Sequence, residues 1–289
     1  MAVYAKKIRS RRVSRSIGGN LTAFVFLVLI GCFMALPIVY AVLNAFKPLN
    51  ELFLYPPRFF VYNPTWENFS GLFKLQESML VPIERYTFNS IFVTVAATGG
   101  YVIVSALAAY PMAKHRFPCK ALLTQFVVFA ILFRPEVTGI PQYIIIAKLG
   151  MIDTYWAVIL PAMATSFGVF LMRQFMEGIP DEVLESARMD GAGEWFIFAR
   201  IVMPMVKPAW LTLIIFTFQS IWNTTGVQYL YSENLKMLPV ALQQISTAGI
   251  GRAGVASAVA VILMLPPVLI FIFSQNAVIE TMAHSGLKG

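Results

Sequence analysis

The run Ile179-Pro180-Asp181-Glu182-Val183-Leu184-Glu185-Ser186-Ala187-Arg188-Met189-Asp190-Gly191-Ala192-Gly193-Glu194, continued by residues 195–208, decides how the rest of the chain is read. It is the most acidic segment of a basic and very apolar protein. Glu177, Asp181, Glu182, Glu185, Asp190 and Glu194 are six of the fourteen acids in 289 residues. Local chemistry predicts a helix, a glycine turn and a second helix. Pro180 suits a first helical position, where its missing N–H would be unpaired anyway, and Asp181 and Glu182 favour the positive helix N-terminus. Gly191 and Gly193 are expected to end that helix, because glycine enters the left-handed region without a steric penalty. Pro204 and Pro208 then mark the start of a further segment.

The acidic run lies between apolar stretches long enough to cross a bilayer. Hydrophobic residues make up 58% of the chain and charged residues 12%, with a mean hydropathy of +0.71. A soluble domain is nearer half apolar and a quarter charged, so the composition is that of an integral membrane protein. The net charge of +8 does not point to nucleic acid, because Lys and Arg cluster at the ends of apolar runs. Cys32 and Cys119 give no disulfide framework.

Six apolar runs order the topology. Lys6, Lys7, Arg9, Arg11, Arg12 and Arg15 precede the first, residues 21–43, with no acid before Glu51. A nucleic-acid arm is the alternative for such a basic run. The apolar segment directly behind it favours orientation by the positive-inside rule, with residues 1–20 cytoplasmic. The run is too long for a cleaved signal, so an uncleaved first span is expected. Residues 44–85 form an outer connection with Pro56-Pro57, Pro64 and many aromatics, either a packed loop or a docking surface for a substrate-binding protein. The second run ends in the basic loop Lys114, Arg116 and Lys120.

The third run, residues 121–147, carries Arg134-Pro135-Glu136 at its centre and Pro141 beyond. Charge at mid-bilayer is costly, and two readings stand: Arg134 and Glu136 neutralise each other beside a proline break, or the break opens them to a translocation path. The fourth run covers residues 154–172 and the fifth about 208–226. The fifth turns polar at its far end, with Gln219, Trp222, Asn223 and Thr224. Those groups suit sugar hydroxyls and ring faces; interhelical hydrogen bonds and an interfacial Trp are the equal alternative. The sixth run, residues 256–273, contains Pro266-Pro267. The domain plan is thus 1–20, 21–43, 44–85, a core of 86–279 with the acidic loop at 173–207, and a cytoplasmic tail of 280–289.

Several chemistries are excluded by what the sequence lacks. There is no Gly-x4-Gly-Lys-Ser/Thr run to cradle nucleotide phosphates, and Gly191-Ala192-Gly193 lacks the third glycine of a dinucleotide turn. His115 and His284 are the two histidines, and no Cys/His grouping suits a metal, so no metal is expected. No nucleophile–base pair stands out for an intramembrane enzyme, so no catalytic residue is assigned.

Glu185-Ser186-Ala187, then Asp190-Gly191-Ala192, Ile201, Pro204 and Pro208, resemble the EAA loop of the membrane subunits of ATP-binding-cassette (ABC) importers. Ser186 stands where a second alanine is commoner, and Met203 where leucine is usual. Asn44-Ala45-Phe46-Lys47-Pro48, Pro56-Pro57, Trp66-Glu67-Asn68-Phe69 and Asn89-Ser90 resemble the carbohydrate-uptake branch, and Gly286-Leu287-Lys288-Gly289 is similar to the tail of its maltose-type permeases. The resemblance implies an all-α polytopic permease with six transmembrane helices in a bacterial or archaeal cell (inner) membrane, both termini cytoplasmic, and an EAA coupling-helix loop between spans four and five. It implies a homologous second permease, an ABC ATPase dimer that holds the ATP and Mg, and an extracytoplasmic substrate-binding protein, with no cofactor on this chain. Asp181, Glu182, Glu185, Ser186, Ala187, Asp190, Gly191, Ala192, Gly193 and Pro204 would then form the ATPase-coupling surface. Lys288 and Gly289 would reach the ATPase. The competing class is an ion- or proton-coupled secondary transporter using Arg134 and Glu136, which often shows internal repeats; none is evident here.

Overall fold

A computed structural model describes residues 17–76, 81–133, 135–247 and 250–286, without the side chains of residues 17, 73, 75–76, 135–136, 246–247, 250 and 276–286. Every regular element among the described residues is helical. In hydrocarbon only a helix or a closed barrel pairs all its own backbone groups, so apolar runs of this length fold as helices.

Among the described residues, four helices are long and apolar enough to cross a bilayer: α1 (Ile17–Ala45), α4 (Ile83–Lys114), the kinked pair α7 (Trp156–Met163) and α8 (Ser166–Glu177), and α14 (Ala253–Gly286). Short helices α2 (Leu49–Leu52) and α3 (Glu67–Gln76) fold the connection after α1. A fifth crossing is made if the stretch Glu194–Met205 and helix α12 (Lys207–Trp222), bent by 75° at Val206, count together. The third apolar run is not one helix. It divides into α5 (Lys120–Ile131) and α6 (Pro135–Lys148), about 18 Å and 21 Å long at 1.5 Å per residue, each short of a ~30 Å hydrocarbon layer. The interruption precedes Pro135, whose ring disfavours helical backbone in the residue before it.

The spine of the molecule is α4. Its small residues Ala97, Ser105, Ala106 and Ala109 are buried to 1% exposure or less, and let α8, α7 and α12 approach closely. On α8, Gly168 faces Ser105 and Tyr101 so tightly that an added Cβ would lie 2.4 Å from Ser105 Oγ. One core cluster joins the last turns of α4 to Met172, Met176, Ile179, Leu184, Ile197, Val202 and the start of α12. A second joins mid-α4 to α7 and to Ile221, Tyr229 and Met237. A third packs Tyr86, Trp222 and helix α13 (Leu238–Thr247) against α14. In contrast, α1 exposes Phe24, Leu27, Phe33 and Met34 at 61% or more, an apolar surface that fits lipid.

The N-terminal end of α4 is tied down by polar groups. Buried Asn89 donates to Asn234 O and Lys236 O, both at 2.8 Å, and accepts from the Tyr155 hydroxyl at 2.7 Å. Tyr86 donates to Glu233, and Asp153 accepts from Tyr231 N, Ser232 N and the Ser232 hydroxyl. In the first connection, Asn68 donates to Ala45 O and Lys47 O, and Glu51 accepts from Tyr62 N and Asn63 N. That connection is therefore packed onto the end of α1.

Candidate functional site

The acidic run folds as helix α9 (Asp181–Met189), a turn, and a continuous helical stretch of α10 (Glu194–Phe196), a π-helical turn (Ile197–Val202) and α11 (Met203–Met205). Pro180 sits one position earlier than expected, as the extended residue before the helix (φ −60°, ψ 135°). The two glycines have different jobs. Gly191 is left-handed at φ +84°, and nothing lies within 4 Å of where its Cβ would be, so its conformation and not space requires glycine. Its N–H reaches Arg188 O and the Ala192 N–H reaches Ala187 O, both at 3.0 Å, which is the Schellman termination. The small side chains of Ala187 and Ala192 are half-buried and pack against the same core cluster. Gly193, at φ −72°, instead opens α10. Pro204 lies inside the second helical stretch, immediately after the π turn, and the chain breaks at Val206, before Pro208.

One face of α9 is anchored and the rest is free. Leu184 is 2% exposed in the core cluster at the foot of α4, α8 and α12, worth about 1.5–3 kcal/mol of burial. Glu182, Glu185, Ser186, Asp190 and Gly193 are exposed, and Met189 is 88% exposed at the tip. Two polar links fix the segment to α4. Lys114 Nζ, nearly buried, donates to Asp181 Oδ1 at 2.7 Å and to Ile179 O at 2.5 Å. That hydrogen bond, with the Lys114 charge, holds the Asp181 carboxyl below the ordinary carboxylate range. Glu194 receives Tyr110 Oη at 2.8 Å and Arg188 Nε at 2.9 Å, with His115 Nε2 at 3.6 Å. Its hydrogen bond in turn raises the Arg188 pKa. Sequence reading counted Lys114 only as a charge of the basic loop and gave Tyr110 no role. Their partners are 67 and 84 residues away.

On α12, Gln219 and Asn223 are exposed, and Asn223 Nδ2 donates to Gln219 O at 2.9 Å. Thr224 Oγ1 donates to Ser220 O. Trp222 turns the other way: it is 4% exposed, stacks on Phe218, and donates to Leu263 O of α14 at 3.0 Å. Arg134, the Glu136 side chain, Lys288 and Gly289 lie outside the described residues. No group of three or more His, Cys, Asp or Glu suited to a metal ion occurs among the described residues.

The sequence profile of binding-protein-dependent transport system inner membrane components matches residues 19–284. The chain is 30% identical to the probable ABC transporter permease protein YurM of Bacillus subtilis (strain 168), over 94% of this chain and 89% of that one. It is 29% identical to the sn-glycerol-3-phosphate transport system permease protein UgpE of Yersinia enterocolitica, covering 90% and 94%. Its fold superposes with a TM-score of 0.77, at 21% identity and over 91% of this chain and 98% of the other, on a bacterial ABC transporter involved in the import of the acidic polysaccharide alginate.

Proposed function

Because this chain belongs to the family of binding-protein-dependent transport system inner membrane components, we propose that it forms half of the translocation pore of an ATP-driven sugar importer and is moved by a separate ATPase seated on α9. The observation that carries the reading is the build of α9: an exposed acidic and small-residue face on a helix fixed to the transmembrane core by Leu184, Lys114 and the Glu194 hub. A partner that pushes on Glu182, Glu185 and Ser186 moves α4, α8 and α12 together, because all three meet in the same core cluster.

In this reading α1, α4, α5 with α6, α7 with α8, α12 and α14 are the six spans, and α9 and both termini are cytoplasmic. Lys288 and Gly289, outside the described residues, are assigned to the ATPase contact. A homologous second permease completes the pore, an extracytoplasmic binding protein delivers the sugar, and ATP with its Mg stays on the ATPase dimer. The sugar cargo is supported by the name of a relative, the polygalacturonan/rhamnogalacturonan transport system permease protein YtcP of Bacillus subtilis, and by the amide and hydroxyl groups exposed at the end of α12. A secondary transporter relaying charge through Arg134 and Glu136 is not favoured, because the chain's family works with a binding protein.

The test is co-purification and uptake. Deleting residues 180–193, or Glu185→Lys, is expected to abolish uptake and detach the ATPase while the subunit remains in the membrane. Normal ATP-dependent uptake by Glu185→Lys would overturn the coupling role.

A further inference from the structure

Helix α12 and the stretch Glu194–Met205 before it meet at an angle of 75°. Trp210 Nε1 holds the bend by donating to Met203 O at 3.0 Å, and Val206, at φ −95° and ψ 21°, takes up the change of direction. With α12 along the bilayer normal, its 16 residues rise about 24 Å, short of a ~30 Å hydrocarbon layer. The bent stretch is about 18 Å long but adds only about 5 Å of height. It therefore runs along the boundary of the layer, at the level of the headgroups.

The side chains sort as that position requires. Ile197 and Val202 are fully buried in the core cluster. The outward side carries Trp195 at 72% exposure and Phe196 at 57%, with Met205 exposed beyond them. Arg200 and Lys207 are exposed too, and neither pairs with a carboxylate among the described residues. Glu194 is the last acid before Glu233. An indole is apolar in its body and polar at its N–H, which suits a membrane–water interface. Long Arg and Lys side chains lay their methylenes on apolar surface and lift the charge to the lipid phosphates. We propose that residues 194–207 form a membrane-surface anchor for anionic phospholipid, with Trp195 and Phe196 at the acyl boundary and Arg200 and Lys207 on the phosphates. The same surface charge acts oppositely on α9. Its exposed Glu182, Glu185 and Asp190 are repelled by anionic lipid, so the turn at Gly191–Gly193 divides a lipid-facing helix from a water-facing one. The proposal rests on the reading of α12 as a span and of α9 as the ATPase seat, and adds a lipid partner that holds the seat clear of the membrane.

The test uses the complete transporter in nanodiscs, with Cys32 and Cys119 replaced by Ser and a fluorophore on Ala199→Cys, an exposed position of the stretch. Brominated phosphatidylglycerol or brominated phosphatidylcholine, each diluted into the same unbrominated mixture of the two, is the quencher. Both should quench, phosphatidylglycerol more strongly. Arg200→Gln with Lys207→Gln should bring the two lipids to parity, and Arg200→Lys with Lys207→Arg should keep the preference. Parity without those substitutions overturns the proposal, as does a preference that survives the double Gln variant. Absence of quenching by either lipid also overturns it, because protein or water then covers the face. A label on Leu269→Cys, on the exposed apolar face of α14, should be quenched equally by both lipids. If that label is unquenched, the spanning reading fails; if the ATPase is missing from the purified complex, the importer reading fails. Failure at Ala199→Cys alone sinks only the lipid anchor.

Discussion

At the scale of single residues, the proposed coupling segment depends on a few side chains whose chemistry is specific. Gly191 holds φ +84° with open space around it, so Gly191→Ala introduces only the left-handed penalty, about 1–2 kcal/mol, and should weaken ATPase co-purification. Gly193→Ala, at φ −72°, should leave co-purification near wild type; equal loss in both variants would show that the turn is not set by the left-handed position. Asp181 adds a pH dependence. Its carboxyl titrates lower in the folded protein than in the unfolded chain, so the Lys114 link stabilises the fold above the ordinary carboxylate range. That stabilisation is lost as pH falls through the lowered value. Hydrogen-exchange protection of residues 179–183 should therefore drop below pH ~4 in the wild type, and Asp181→Asn should show the reduced protection already at neutral pH. Asp181, Glu185 and Gly191 were legible in the sequence because their spacing is local. Lys114, Tyr110 and Glu194 were not read as a unit, since contacts across 67 and 84 residues leave no mark in one sequence.

Elements follow hydrophobic period and proline chemistry closely, with departures where packing intervened. The third apolar run breaks ahead of Pro135, as the local rule requires, and so yields two helices too short to span singly. Pro204 was expected to open a segment, yet the helix runs through it and bends at Val206. The π turn at Ile197–Val202 buries Ile197 and Val202 completely, and Trp210 Nε1 donates to Met203 O across the bend at 3.0 Å. Element contacts also predict a sensitive seam. Gly168→Val would drive a side chain into Ser105 and Tyr101 where α8 crosses α4, costing about 1–3 kcal/mol, measurable as a lower melting temperature of the detergent-solubilised protein. A melting temperature equal to wild type would mean that the seam opens without cost.

For the whole molecule, the decisive contrast is between an apolar exterior that meets lipid and an exposed polar row on α12. In a background with Cys32 and Cys119 replaced by Ser, Asn223→Cys in the assembled transporter should react with a membrane-impermeant maleimide. Leu269→Cys, on the exposed apolar face of α14, should not. Protection of Asn223→Cys equal to that of Leu269→Cys would place the α12 row against lipid or another helix and out of the water path. Asn89 ties the N-terminal end of α4 to the 233–237 turn, and Lys114 ties its C-terminal end to α9, so a single helix connects the two polar clusters.

Membrane class, the order of apolar runs, the acidic helix and its glycine turn were determined by the sequence alone, because hydropathy, charge placement and backbone preference act over a few residues. The tertiary structure decided which side of each helix is used. Trp222, grouped by sequence with a polar path, is buried against α14, whereas Phe167 and Phe216, 49 residues apart and unremarkable in an apolar chain, are brought together at a cleft. In a protein apolar on nearly every helix face, period cannot tell lipid from partner from path. Close packing through Ala97, Ser105, Ala106, Ala109 and Gly168 makes that choice, and the Ile179–Pro208 run is fixed to the helical core only where Leu184 and Lys114 join it to the foot of α4.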